Sequence, residues 1–122
     1  MERDFDAPVP RLWQAWTDPK DVAVWYGPGP EGCRVETMDV RPGGAYRRFM
    51  GEHLDEGVFH EVEAPRRLVQ GWADKSFLIE TVLRPHGGGT RMTLRMAGLA
   101  PEQHEHVKAG WDAGFEKLRR LL

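Results

Sequence analysis

"FLIETVLRPHGGGTRMTLRM", residues 77–96, reads as two strands joined by a glycine turn. Ile79, Thr81 and Leu83 share one face by the period of two, and Met92, Leu94 and Met96 share one on the second strand. Arg91, Thr93 and Arg95 take the opposite side. The turn "PHGGG" is too short for a parallel crossover, so the strands run antiparallel. One face is apolar and the other wet, the pattern of a sheet covered on a single side.

The same texture extends back to Cys33. "CRVETMDV" runs into "RPGG", "AYRRFM" into "GEHLDEG", "VFHEVE" into "APRR" and "LVQGWA" into "DKS". With "ERDFD" at residues 2–6 the reading predicts seven strands in an antiparallel meander. Between the first strand and the rest, Val9, Leu12, Trp13 and Trp16 recur at helical spacing. A second short helix follows, with Asp18 as N-cap, Pro19 at its first position and Asp21 in its first turn. It breaks at "GPGPEG", residues 27–32.

The apolar face needs a cover, and the C-terminal segment supplies a helix. Pro101 opens it, Glu102 complements its dipole, and Lys117, Arg119 and Arg120 lie near its end. Val107, Trp111, Gly114, Leu118 and Leu121 form one stripe, flanked by Phe115 and Leu122. Roughly 20 residues at about 1.5 Å each would cross the whole sheet. Gly110 and Gly114 stand one turn apart, and glycine costs a helix about 1 kcal/mol relative to alanine. Two readings fit them: close approach of a neighbouring segment, or missing volume that roofs a cavity. The predicted fold is α+β, a curled sheet gripping a C-terminal helix, in a single domain over residues 1–122.

Bulk properties narrow the function. A net charge of −2 provides no basic field for nucleic acid and no polybasic run for a membrane surface. Apolar runs stay far below the roughly 20 residues that span a bilayer. "MERDFDAPVP" is acidic and mixed where a signal peptide would be basic and then apolar, so the cytoplasm is the expected compartment. Cys33 is the only cysteine and is read as packing, and Ser76, the only serine, lacks a nucleophile-elbow context.

"APVPRLWQAWTDPKDVAVWYG", "DVRPGGAYR", "GVFHEVEAPRRLV", "GGTRMTL" and "GWDAGFEKLRRLL" cover almost the whole chain in order. In these stretches it resembles the START-like helix-grip superfamily, also called SRPBCC. Within that superfamily it is similar to the branch named for the activator of heat-shock protein 90 ATPase, homologue-like. The resemblance implies an apolar cavity between sheet and helix, in a superfamily whose members bind lipids, hormones or polyketides. It extends to one domain only, without the additional N-terminal domain of the eukaryotic co-chaperones.

Candidate chemistry is sparse. His104 and His106 stand two apart on a helix and point to different sides, and the glycine clusters lack a G-K-[ST] ending. No metal or cofactor is implied, and no catalytic residue is assigned. If Tyr46 and Met50 face the covered side, Arg48 does so too; if Phe59 does, Glu61 follows by the same period. A buried arginine needs a carboxylate, so Arg48 and Glu61 either pair, lie at the wet sheet edge, or anchor a ligand. A desolvated Glu61 would have a raised pKa and could serve as general acid or base. Trp25, Tyr46, Phe59, Trp72, Trp111 and Phe115 would supply rigid walls, and Met50 and Met92 adaptable ones.

The leading expectation is therefore binding of a small apolar or amphipathic molecule in that cavity. The alternatives are a cyclase- or hydrolase-type enzyme using the same cavity, and a chaperone-associated interaction module. The uncovered outer face leaves a homodimer open.

Overall fold

The computed structural model describes residues 1–122. In chain order the elements are β1 (Glu2–Phe5), α1 (Val9–Thr17), α2 (Pro19–Trp25), β2 (Arg34–Met38), β3 (Ala45–Met50) and β4 (His53–Glu63). They continue with β5 (Arg67–Gly71), β6 (Leu78–His86), β7 (Gly89–Ala97), a 3-10 turn (Pro101–Gln103) and α3 (His104–Leu121). All seven strands form one antiparallel sheet in the order β1-β7-β6-β5-β4-β3-β2. The chain meanders from β2 to β7, and β1 closes against β7. This is the expected curled α+β sheet with its two short helices and long C-terminal one.

The quoted hairpin forms as read. Gly87 and Gly88 connect β6 to β7 with φ of +56° and +84°, the two positive values that a primed two-residue turn requires. α2 also starts as expected: the Asp18 carboxylate accepts a hydrogen bond from the Lys20 amide at 2.9 Å.

Three expectations are corrected. First, β4 begins at His53, not near Val58, because Met50 pairs directly with His53 across a two-residue turn. The segment "HLDEG" has no apolar alternation because Asp55 occupies an inward position opposite Arg48, so its strand character comes from pairing with β3. Second, the β4–β5 register shifts between Phe59 and Glu61. One extra residue in a strand reverses the facing of all that follow. Phe59 thus points into the core, and Glu61 points out while Val62 packs inward.

Third, α3 does not cover the sheet alone. α1 lies against β6 and β7, and α2 lies against β2 and α3. Only the C-terminal half of α3 is embedded, through Gly114, Phe115, Lys117 and Leu118, while His104–His106 are exposed. Leu12, Ala15 and Trp16 of α1 and Val22 and Trp25 of α2 fill the centre against Leu68, Leu83, Met92 and Leu94 of the sheet.

The two α3 glycines receive the end of α2. A Cβ at Gly114 would stand 3.4 Å from the Trp25 carbonyl oxygen and 3.5 Å from that of Gly27; one at Gly110 would meet Pro28 at 3.6 Å. Both glycines thus face the end of α2 at ordinary van der Waals distance, a contact that does not itself require glycine at either position.

Candidate functional site

The inner face of the sheet is mostly apolar, and its one buried charge is Arg48 on β3. Period-two alternation along β3 turns Tyr46, Arg48 and Met50 inward, and Arg48 is left only 2% exposed. The β3–β4 register sets Asp55 directly opposite it. Arg48 Nε donates to Asp55 Oδ2 at 2.8 Å, and Nη2 donates to Gln70 Oε1 at 3.1 Å. Neither bond engages Nη1. The guanidinium lies 3.7 Å from the Tyr26 ring centroid and 4.4 Å from that of Tyr46. Desolvated contacts of this kind are worth about 2 kcal/mol each, which offsets part of the cost of burying the charge.

The electrostatics follow from burial. Burial opposes the Arg48 charge, but Tyr26, Asp55 and Tyr46 outweigh it and hold the guanidinium above its ordinary value. Burial pushes the Tyr26 and Tyr46 phenols well above their usual range, so both stay neutral hydrogen-bonding groups. It likewise raises the Cys33 thiol, which donates to the Val22 carbonyl, in keeping with its reading as packing.

An aromatic wall adjoins this centre. Trp16 meets Trp25 edge-on at 4.8 Å and Tyr26 at 6.4 Å, and it stacks on Trp111 at 6.0 Å. Trp111 also stacks on Phe115 at 5.6 Å. The indole nitrogens differ in partnership: Trp25 Nε1 donates to the Ala15 carbonyl, whereas Trp16 Nε1 is buried without any partner. Thr81 Oγ1 on β6 is also buried and unpartnered. Each such orphan costs about 1–3 kcal/mol.

The ten residues singled out from the sequence divide between two faces. Trp25, Tyr46, Arg48, Phe59, Met92 and Phe115 are buried together, and Met50 and Trp111 pack half-buried against them. Glu61 and Trp72 lie elsewhere. The bulge turns Glu61 to the outer face, where Arg67 grips it through two bonds of 3.0 and 3.1 Å. Arg67 therefore holds its carboxyl below the usual range, opposite to the rise expected of a buried glutamate. The pairing of Arg48 with Glu61 does not form; Asp55 takes that place.

Trp72 follows β5 and is 52% exposed, with its ring 5.6 Å from Phe77. It borders an outer cleft of about 470 Å³ with Thr37, Ala45, Arg47, Glu56 and Val58. A second outer cleft of about 250 Å³ includes Glu61 and Arg67. The rest of this face is laced with ion pairs, including Arg67 with Glu63 and Glu80 and Arg91 with Asp4.

Four residues of the centre were missed by sequence reasoning. Asp55 was legible from the hairpin: a two-residue turn at Gly51–Glu52 places it opposite Arg48. Gln70 shares its face with Leu68 by the period of two. Tyr26 carried no signal beyond its place at the end of α2. Lys117, read as a dipole complement, instead turns its ammonium into the structure and donates to the carbonyls of Gly27 and Gly29. Burial lowers its pKa, partly countered by Glu31.

Comparison with known proteins agrees with this architecture. The family model described as Activator of Hsp90 ATPase homolog 1-like protein matches residues 6–122. Among solved structures, protein NE0264 from Nitrosomonas europaea is 28% identical with a TM-score of 0.81, over 100% of this chain and 91% of that one. CalU16 from Micromonospora echinospora is 28% identical with a TM-score of 0.73, over 96% of this chain and 70% of that one. Protein Ms6760 from Mycobacterium smegmatis is 25% identical with a TM-score of 0.81, over 98% and 87%. No curated protein matches the chain significantly.

Proposed function

This chain belongs to the Activator of Hsp90 ATPase homolog 1-like family, and we propose that it binds a small amphipathic molecule between its sheet and helices. The polar end of that molecule sits at Arg48 and its apolar body against the Trp16, Trp111 and Phe115 rings. The observation that carries this reading is Arg48 itself, 2% exposed and held by Asp55, Gln70 and two tyrosine rings. A buried ion pair is commonly no more stabilising than apolar residues of the same volume, so its presence calls for a role in recognition. The unpartnered Trp16 indole nitrogen, one ring away, is a second group prepared for a guest.

Native mass spectrometry of the protein as purified, followed by denaturation, tests this directly. A released small molecule, absent from Arg48→Met, is the expected result. A bound molecule retained equally by Arg48→Met would refute the assignment of the anchor.

The enzymatic alternative loses the one acid–base candidate assigned to it, since Glu61 is outside and ion-paired. A reading as an interaction module has one observation in its favour, the exposed Trp72 beside Phe77. Failure of Trp72→Ala to weaken binding to a co-purifying chaperone would dismiss it.

A further inference from the structure

Resting on the proposed interior site, we infer that the molecule taken up there is uncharged and presents an acceptor oxygen, such as a carbonyl, to Arg48 and Trp16. Charge balance and donor count both lead to this class.

Arg48 already has its counter-ion. Asp55 stands 2.8 Å from Nε and opposite it in register, so an incoming anion would meet a carboxylate as well as the guanidinium. The other cation turned inward, Lys117, is engaged by the Gly27 and Gly29 carbonyls and has Glu31 as its counter-charge. The remaining titratable groups around Arg48, the Tyr26 and Tyr46 phenols and the Cys33 thiol, are raised by burial and stay neutral. No positive charge is left over for a carboxylate or phosphate, and no negative one for an amine.

The groups still available are mainly donors. Arg48 Nη1 is outside the bonds to Asp55 and Gln70. Gln70 accepts from Arg48 through Oε1, which leaves its amide nitrogen as the donor end. Trp16 Nε1 is only ever a donor, and it is buried without a partner. A ligand carbonyl or ether oxygen complements such a set without bringing charge into a balanced enclosure.

The test compares a methyl ketone with the carboxylate of the same skeleton, on phenyl, naphthyl and nonyl frames, by calorimetric titration at neutral pH. In wild type at least one ketone binds about tenfold or more tighter than its carboxylate, as expected where a desolvated like charge opposes the anion. In Asp55→Asn the order reverses and the carboxylate raises the melting temperature, because Arg48 then lacks a counter-ion. In Arg48→Met the ketone loses its donor and binds more weakly, while the carboxylate, facing Asp55 without a cation, gains nothing. A carboxylate preferred by wild type overturns the inference while leaving the interior site standing. Binding of neither member of any pair overturns the interior site, and the inference with it. Should Asp55→Asn fail to fold, the wild-type comparison decides.

Discussion

Arg48 and Asp55 face each other across the β3–β4 hairpin, Nε to Oδ2 at 2.8 Å, with Arg48 2% and Asp55 21% exposed at their side chains. This asymmetry makes their removal unequal. Asp55→Asn strands a buried cation and should cost about 3 kcal/mol, the low end for breaking such a pair because Asp55 is partly hydrated. Arg48→Met leaves a carboxylate that water can reach but also strips buried Gln70 Oε1 of its donor, so it should cost less, about 1–2 kcal/mol. Urea midpoints at unchanged slope measure both, and the order contradicts the account if Arg48→Met is the worse.

Glu61 and Arg67 form the outer counterpart. The Glu61 carboxyl is held below its usual range by Arg67, so its stabilising contribution is present above the unfolded-state value and is lost as pH falls through the folded one. NMR titration of the side-chain carboxyl should therefore find a depressed midpoint in wild type. In Arg67→Met that midpoint should rise toward the ordinary glutamate range. An unchanged midpoint would show that the two bonds do not persist in solution.

Gly110 has room for a methyl group, since a Cβ would meet Pro28 at 3.6 Å. Gly110→Ala should stabilise the protein by about 0.5–1 kcal/mol through helix propensity. Gly114→Ala places its methyl 3.4 Å from the Trp25 carbonyl and should gain less. Thermal melts that rank the two the other way would contradict the packing of α3 on the end of α2.

Lys117 joins α3 to the segment after α2 through the carbonyls of Gly27 and Gly29. Lys117→Met should cost about 1.5–3 kcal/mol, the range for hydrogen bonds to a charged group. Amide exchange should quicken mainly over residues 27–32. Acceleration spread evenly over the sheet would instead indicate a general loss of stability.

Periodicity was enough to read the strands, their antiparallel order and the helices, because each rests on local pattern: Ile79/Thr81/Leu83 on one face, Asp18–Pro19 at a helix start. The centre of the site was half legible. Tyr46 and Arg48 follow from alternation within an unbroken strand. Glu61 was misplaced because the register shift after Phe59 reverses the facing, and "FHEVE" carries no glycine or other mark of it. Trp72 was misplaced because β5 ends at Gly71, after which alternation no longer applies. Tyr26 and Lys117 depend on how α2, α3 and the sheet come together, a long-range relation that no local spacing encodes.

The most direct test of the proposed interior site is the indole N–H spectrum of the 15N-labelled protein, titrated with the tightest-binding methyl ketone. Five tryptophans give five resonances: Trp13, Trp16, Trp25, Trp72 and Trp111. Trp16 Nε1 has no partner, so its proton should shift furthest as it gains one, while exposed Trp72 stays in place. A large shift of Trp72 with Trp16 unmoved would place binding in the outer cleft and contradict the Arg48 site.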